Sequence, residues 1–499
     1  MPLFLAATAL KRSPLSLFRK TGASGEISKY QPANIRQLLT EMFRSEGFTG
    51  KLPPVRFITH HLAHAAIAFY TSPFDKSDIL IIDGSGENKA TSGYIGEGDK
   101  LKKVFTYTIP DSLGWFYKSV TEYLGYLPDR HEGRVMALAS YGEEDEEIQK
   151  IFSRIISLKK DGSYRHNPAY SFLGAHRNGK VFGKKMEEDL GPPRFKGEEI
   201  SQRHKNIARA AQDTLEESVV SLLSRFKNGE GVSSNLCVAG GIALNCRMNG
   251  HLSEHPSVEN IYLPPLPGDA GTALGAALLV AANLGFNPRF SLTHSYWGPG
   301  YSSEEVEAVL KKTKADYSKE KDISGRAAEL LAKGNLLGWF QGRLEAGPRA
   351  LGGRSILADP RDIKTKDIVN KRVKGREKWR PFAPSILKEN MNDYLLNPFD
   401  SPFMGIAFKT TPKADSDMPA AIHVDSTTRP QIVSRDSSKK YWELIKKFGD
   451  LTGVYGLLNT SFNVNEEPIV ASPEDALRSF YASGLDYLVI ENFILRKGG

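Results

Sequence analysis

Two histidines one helical turn apart, His60 and His64 in HHLAHAAIAFY, and an aspartate closing an apolar run, Asp83 in DILIIDGSGE, have the types and spacing to share a metal ion. Residues at i and i+4 leave one face of a helix, so both imidazoles reach the same point if AHAAIAF continues as a helix. Asp83 follows ILII and precedes Gly84, the pattern of a buried strand that ends in a tight turn and presents a carboxylate at the sheet edge. Such a pair of histidines is equally at home, partly buried, on a small-residue packing helix, because a metal site needs ligands that spacing alone does not supply.

Further ligands are available downstream. In PPLPGDAGTALGAALL, Gly268, Asp269 and Gly271 put a carboxylate in a turn at a helix start, where it either caps the helix or meets a cation. With His60, His64 and Asp83 it would complete a two-histidine, two-carboxylate set, which suits iron(II), zinc or manganese better than calcium or magnesium. LCVAGGIALNCRMNG joins a buried strand to a helix through Gly240 and Gly241, whose amides could receive a nucleotide phosphate, although close packing of helix on sheet asks for the same glycines. Asn245 adds a hydrogen-bonding side chain beside that turn.

GRLEAGPRALGGRSILADPR carries Arg343, Glu345, Arg349, Arg354 and Ser355, interleaved with Pro348, Leu351, Ile356 and Leu357. That interleaving implies a packed, shaped loop, and arginines so held are suited to bidentate contacts with phosphate or carboxylate. KWRPFAP adds Lys378 and Arg380, and NTSFN adds Asn459, Thr460, Ser461 and Asn463 after a buried strand, a second cluster of polar groups with the character of a ligand loop.

The elements that must position these residues read as α/β. VRFITHH, DILIIDG, TSGYIG and KKVFTYTIP have strand character, SLGWFYKSVTEYLGYL and IARAAQDTLEESVVSLLSRF have helical spacing, and NLCVAGG reads as a strand. NPRFSLTHSYWGPGYS has little periodicity and precedes a charged helix from Ser303 to Thr313, so a domain boundary is expected near Gly298, giving domains 1–298 and 299–499. Beyond it the helix SGRAAELLAKG, the strands LLGWFQG and GVYGLLNTSF and the helix SPEDALRSFYASG predict a second α/β domain. A chain of 499 residues exceeds what one core serves, and no short-period repeat is visible.

Composition excludes several classes. With 40% hydrophobic and 25% charged residues the chain is an ordinary folded protein, and no apolar run approaches the roughly 18 residues that cross a bilayer. Two cysteines, Cys237 and Cys246, make no disulfide framework and fit a reducing, cytoplasmic setting. The net charge of +8 favours anionic partners, but the basic residues are scattered without interleaved aromatics, which fits phosphate-bearing small molecules and gives no ground to expect nucleic acid or membrane. The first 25 residues hold Lys11, Arg12, Arg19 and Lys20 and no acid before Glu26, a composition shared by transit peptides and by amphipathic helices that begin a folded domain.

Taken together, HHLAHAA, LIIDGSGE, EGRVMALASYG, GGIALNCRMNG with PPLPGDAGTALGAAL, and GRLEAGPRALGGRSILADPR with WRPFAPSIL and LLNTSFN resemble the ATP-dependent O-carbamoyltransferases of nodulation-factor and antibiotic tailoring, from about Val55 to the C-terminus. The resemblance implies an actin-like, RNase-H-like ATPase domain followed by a YrdC-like α/β domain. The second would make carbamoyl adenylate from carbamoyl phosphate and ATP, with magnesium accompanying the nucleotide, and the first would pass the carbamoyl group to a small-molecule hydroxyl, for example on a sugar or polyketide. Carried over by motif, His60, His64, Asp83 and Asp269 would hold a divalent metal, iron(II) first, while His61 would support the helix. Gly240, Gly241, Asn245 and Gly268 would line the adenylate. Arg349, Arg354, Ser355, Lys378, Arg380 and Asn459, Thr460, Ser461 and Asn463 would form the carbamoyl-phosphate and ATP site.

The beginning departs from the pattern. Family members open with a strand ending in His-Asp and a second ending in Asp-Gly, and MPLFLAATALKRSPLSLF has no such unit, so roughly ninety residues that include a candidate catalytic histidine are expected to be missing. On that reading the actin-like domain is incomplete, the gene starts late or a partner chain supplies the segment, and the chain as given would be poorly stable alone or would dimerise, and would lack full transferase activity. The alternative is a non-catalytic nucleotide- and metal-binding homologue or one subunit of a split enzyme. A tRNA-modifying threonylcarbamoyl enzyme is a third reading, against which the fused arginine-rich second domain speaks.

Overall fold

The apolar run DILIIDG becomes the centre of the first of two large sheets. A computed structural model describes residues 32–171, 180–227, 233–464 and 467–497; the basic residues of positions 11–20 lie outside the described residues. The described residues up to Thr59 form one unit, with a helix over Pro32–Ser45 and the Arg36 guanidinium 5.4 Å from the centre of the Phe57 ring. The strand expected over VRFITHH is absent. Residues 51–59 have no sheet partner among the described residues, and His60 and His61 belong to the helix that follows. A short β-branched run becomes a strand only where an edge takes up its backbone hydrogen bonds.

Residues 60–499 form the second unit. Helix α1 (His60–Tyr70) leads into three antiparallel strands, β1 (Lys76–Gly86), β2 (Lys89–Glu97) and β3 (Lys100–Thr108). Helices α2 (Leu113–Tyr123) and α3 (Gln202–Lys227) follow, then β4 (Asn235–Ala239), α4 (Cys246–Ser253), β5 (Asn260–Tyr262) and α5 (Thr272–Asn283). The sheet order is β3-β2-β1-β4-β5, with β4 parallel to both β1 and β5. In register, Ile79 of β1 faces Tyr94 on one side and Cys237 on the other. Continuous apolar runs suit strands covered on both faces, and Ile79, Leu80, Ile81 and Ile82 are all fully buried. The pairing of β1 with β2 shifts between Ile82 and Gly86, and this irregularity frees Asp83 from the ladder.

The second sheet comprises β6 (Ser318–Lys319), β7 (Leu337–Phe340), β8 (Arg354–Ala358), β9 (Ala383–Leu387), β10 (Gln431–Val433), β11 (Gly456–Ser461), β12 (Tyr487–Ile490) and β13 (Phe493–Arg496). Its order is β10-β9-β11-β8-β7-β12-β13-β6, of mixed direction. The helix expected from Ser303 is present over Ser303–Lys312, started by a capping box between Ser302 and Glu305. One cluster of buried apolar side chains runs from Leu80 and Val238 to Leu387 and Ile432, joining the two sheets. Across the same seam Asn249 Nδ2 donates to the carbonyls of Ala243 and Gly405, at 2.8 Å each, and the Ala407 amide donates to the Cys246 carbonyl.

The alanine- and glycine-rich sequences of α1 and α5 let these helices touch backbone to backbone: a Cβ on Gly275 would lie 1.9 Å from the Ala63 carbonyl oxygen. No helix of the described residues is long and apolar enough to cross a membrane, and α5 is instead a packing element for the histidine helix. Gly275→Ala is expected to force the two helices apart at a cost of about 1–3 kcal/mol, read as a lower Tm in calorimetry. An unchanged Tm would show that this contact does not hold α1.

Candidate metal centre and cleft

Helix α1 starts at His60, so His60 and His64 stand one turn apart on its face toward the end of β1. Their Nε2 atoms are 3.1 Å apart. Asp83 Oδ2 lies 2.9 Å from His60 Nε2 and 3.7 Å from His64 Nε2, and Asp269 Oδ1 lies 3.4 and 3.6 Å from the same two atoms. Asp83 Oδ1 is occupied otherwise, accepting from the amides of Gly84 at 2.8 Å and Gly241 at 3.2 Å, which turns Oδ2 toward the imidazoles. Asp269 opens a single 3₁₀ turn before α5, and its side chain does not cap that helix but faces the two imidazoles.

The electrostatics follow from this convergence. Hydrogen bonds to Asp269 and Asp83 raise the His60 imidazole to about 10. Burial pushes the Asp83 carboxyl up, but the hydrogen bond from His60 and the charge of His64 outweigh it and hold the group below the ordinary carboxylate range. Asp269 is held lower still by His60 and then His64. Two imidazole nitrogens and two carboxylate oxygens, all within 4.8 Å of one another, are a donor set that fits one divalent transition ion. His61 points elsewhere. It is fully buried with Nδ1 2.8 Å from Ser92 Oγ, and burial lowers it to about 4, so it is a neutral packing residue.

Asp83 and Asp269 also line a cleft of about 970 Å³ between the two sheets. Gly241, Asn245 and Gly268 line it from the first-sheet half of the unit, and Arg349, Arg380, Asn459, Thr460 and Ser461 line it from the second-sheet half. Asn245 caps α4, accepting from the Met248 amide, and exchanges two hydrogen bonds with Gln212. The sequence reading did not single out Arg134, Arg376 and Arg429, which line the same space. Burial and then the charge of Arg380 push the Arg376 guanidinium down to about 9, burial and then Arg134 lower Arg380, and burial and then Arg429 lower Arg349. Cations that stay charged at neutral pH while lowering one another make a site for an anion. Glu377 offsets part of this charge through its 3.0 Å pair with Arg134.

Other expected ligand residues lie outside the cleft. Arg354 is fully buried, donates to the carbonyls of Gln341, Gly353, Pro299 and Gly342, and stacks 3.5 Å from the centre of the Phe340 ring. It organises the loop instead of presenting charge to a ligand. Ser355 is buried in β8 with Oγ accepting from the Gly352 amide. Lys378 is an exposed loop residue, and Gly240 serves packing: its φ is +96° and a Cβ there would lie 2.2 Å from the Ile82 carbonyl oxygen. Asn463 acts behind the wall, where its Oδ1 and the Ser461 carbonyl accept from buried Lys374 at 2.6 and 2.5 Å. Lys374 and Arg376 belong to VKGREKWRP, whose density of basic residues was the available signal.

Comparison with known proteins gives a consistent picture. The family described as carbamoyltransferase N-terminus matches residues 17–278, and carbamoyltransferase C-terminus matches residues 328–497. An uncharacterized protein of Synechocystis sp. is 40% identical over 479 residues, covering 90% of this chain and 77% of that protein. Nodulation protein NolNO of Sinorhizobium fredii is 39% identical, over 93% of this chain and 66% of its own length, and nodulation protein NolO of Bradyrhizobium diazoefficiens is 38% identical, over 88% and 79%. The crystal structure of T. kodakarensis HypF aligns with 51% of this chain and 40% of its own at 18% identity, with a TM-score of 0.27, too low to bear on the fold.

His64→Ala and Asp83→Asn are each expected to weaken zinc or manganese binding more than about tenfold in isothermal titration. Because the ion-free site holds a proton on His60 up to about pH 10, metal uptake should release that proton, and affinity should rise with pH up to that value. Titration in buffers of different ionisation enthalpy measures the release, and a binding heat independent of buffer would contradict it.

Proposed function

Because this chain belongs to the carbamoyltransferase family, we propose that it makes carbamoyl adenylate from carbamoyl phosphate and ATP and transfers the carbamoyl group to a hydroxyl of a small-molecule acceptor. The observation that carries this reading is that one cleft is lined both by Asp83 and Asp269 of the histidine-aspartate cluster and by a group of half-buried arginines. Arg349, Arg376, Arg380 and Arg429 offset the charge of the phosphates, with magnesium accompanying ATP, and hold the reactants in contact. Asn459, Thr460 and Ser461 offer hydrogen-bonding groups in the same cleft. In the transfer step the acceptor oxygen bonds to the carbonyl carbon, the bond from that carbon to the AMP oxygen breaks, and the hydroxyl proton departs. A divalent ion held by His60, His64, Asp83 and Asp269, iron(II) by preference, would supply Lewis-acid polarisation of a substrate oxygen.

The finer fold assignment belongs to the same proposal. Three antiparallel strands continued by two parallel ones, in the order β3-β2-β1-β4-β5, support an RNase-H-like half of an actin-like ATPase, and the separate mixed sheet supports a YrdC-like domain beyond about Gly298. Both cysteines are free and buried, in keeping with a cytoplasmic setting. Homodimerisation, or a partner chain contributing to the first domain, is proposed as the assembly.

Incubation with carbamoyl phosphate, ATP and magnesium should yield carbamoyl adenylate by mass spectrometry. Arg349→Ala is expected to abolish it while circular dichroism stays native. An unaffected variant would remove Arg349 from the reaction, and a wild-type protein that forms no adenylate would overturn the reading.

A further inference from the structure

Two imidazoles outside the metal cluster, His131 and His423, line the cleft. His423 belongs to the second-sheet half, and Arg349, Arg429 and Cys246 line the same cleft. It is rigidly held: its backbone amide donates to the Thr427 carbonyl at 2.8 Å, and its carbonyl accepts from the Ser426 amide.

The hydrogen bonds around it determine which ring nitrogen carries the proton. Asp425 Oδ2 accepts from Ser140 Oγ at 2.7 Å, and its Oδ1 accepts from Thr427 Oγ1 at 2.6 Å. Burial raises the Asp425 carboxyl, but the bonds from Thr427 and Ser140 outweigh it and keep it ionised. A hydroxyl has one hydrogen, and Thr427 spends it on Asp425, so Thr427 Oγ1 can only accept from His423 Nδ1, 3.2 Å away. The ring therefore carries its proton on Nδ1 and offers Nε2 as a lone pair. Burial also lowers the imidazole to about 4, so it remains neutral at physiological pH. A neutral acceptor fixed by a Thr-Asp relay among arginines complements a ligand that is anionic at one end and carries N–H at the other.

We infer that His423 accepts a hydrogen bond from the amino group of carbamoyl phosphate while the neighbouring arginines take its phosphate, which makes it the residue that selects a carbamoyl over an acyl phosphate. The inference rests on the carbamoyl-phosphate reading of the cleft and adds to it a determinant of donor specificity. Acetyl phosphate has the same size and charge but puts a methyl group where carbamoyl phosphate puts its amino group, so it would leave the half-buried acceptor unpaired.

The test is equilibrium binding of carbamoyl phosphate, acetyl phosphate and ATP to the wild type, His423→Leu and His423→Gln. The wild type is expected to favour carbamoyl phosphate over acetyl phosphate by roughly tenfold or more. His423→Leu should lose that preference with its affinities for acetyl phosphate and ATP unchanged, and His423→Gln, which keeps a carbonyl acceptor, should retain part of it. Equal losses for both acyl donors, a loss confined to ATP, or no preference in the wild type would each overturn the assignment. Adenylate formation is scored separately. A wild type that binds carbamoyl phosphate selectively but makes no adenylate would fail the proposed function while leaving the role of His423 standing.

Discussion

The carboxylate of Asp83 is the point on which the rest of this structure depends, because four segments distant in sequence meet there. One oxygen is taken by the amides of Gly84 and Gly241, which ties the end of β1 to the turn after β4. The other faces His60 at the start of α1, with His64 and Asp269 close by. A buried carboxylate with only one such set of partners would be costly, and shared between two amides and two imidazoles it is satisfied on both oxygens. The small residues around it serve this convergence. A Cβ on Gly86 would lie 2.3 Å from the His60 ring, and one on Gly114 would lie 2.6 Å from the Asp83 carbonyl oxygen.

A second constraint is charge. The second-sheet half of the cleft gathers guanidinium groups that burial and mutual repulsion hold below their ordinary pKa, an arrangement that costs stability unless an anion is bound. The apolar core continuous between the sheets and the Asn249 bridge to Gly405 supply the rigidity that keeps these cations facing one space. Asp83 and Asp269 thus share one cleft with Arg134, Arg349, Arg376, Arg380 and Arg429.

Arg349 and Arg354 show why a motif alone does not identify its working residues. Both stand in AGPRALGGRS, five positions apart. Arg349 reaches the cleft, whereas Arg354 turns into the core and ties together four carbonyls of its own loop and of the segment before it. Arg354 begins a strand whose five residues are all buried, so its side chain finds backbone acceptors rather than solvent. Glu345 acts with it, its Oε1 accepting from the amides of Leu351, Gly353 and Arg354. One loop thus contains both a ligand-facing cation and the groups that shape it.

The sequence by itself determined the α/β alternation, the helix that brings His60 and His64 onto one face, the strand end at Asp83 and the arginine-rich segments, because periodicity and turn residues are local properties. Most element bounds follow from the same local signals, while VRFITHH misleads because a strand requires a partner that local sequence does not disclose. Only the tertiary structure decided that Asp269, more than two hundred residues from His60, faces the histidines instead of capping α5, and that Gly240 serves packing while Gly241 reaches Asp83. It also brought Arg376, Arg429 and His423 into the cleft and took Arg354 and Lys378 away from it. The physical reason is one of direction: spacing along the chain sets which face of its own element a side chain occupies, but the partner of that face is set by how the two sheets pack.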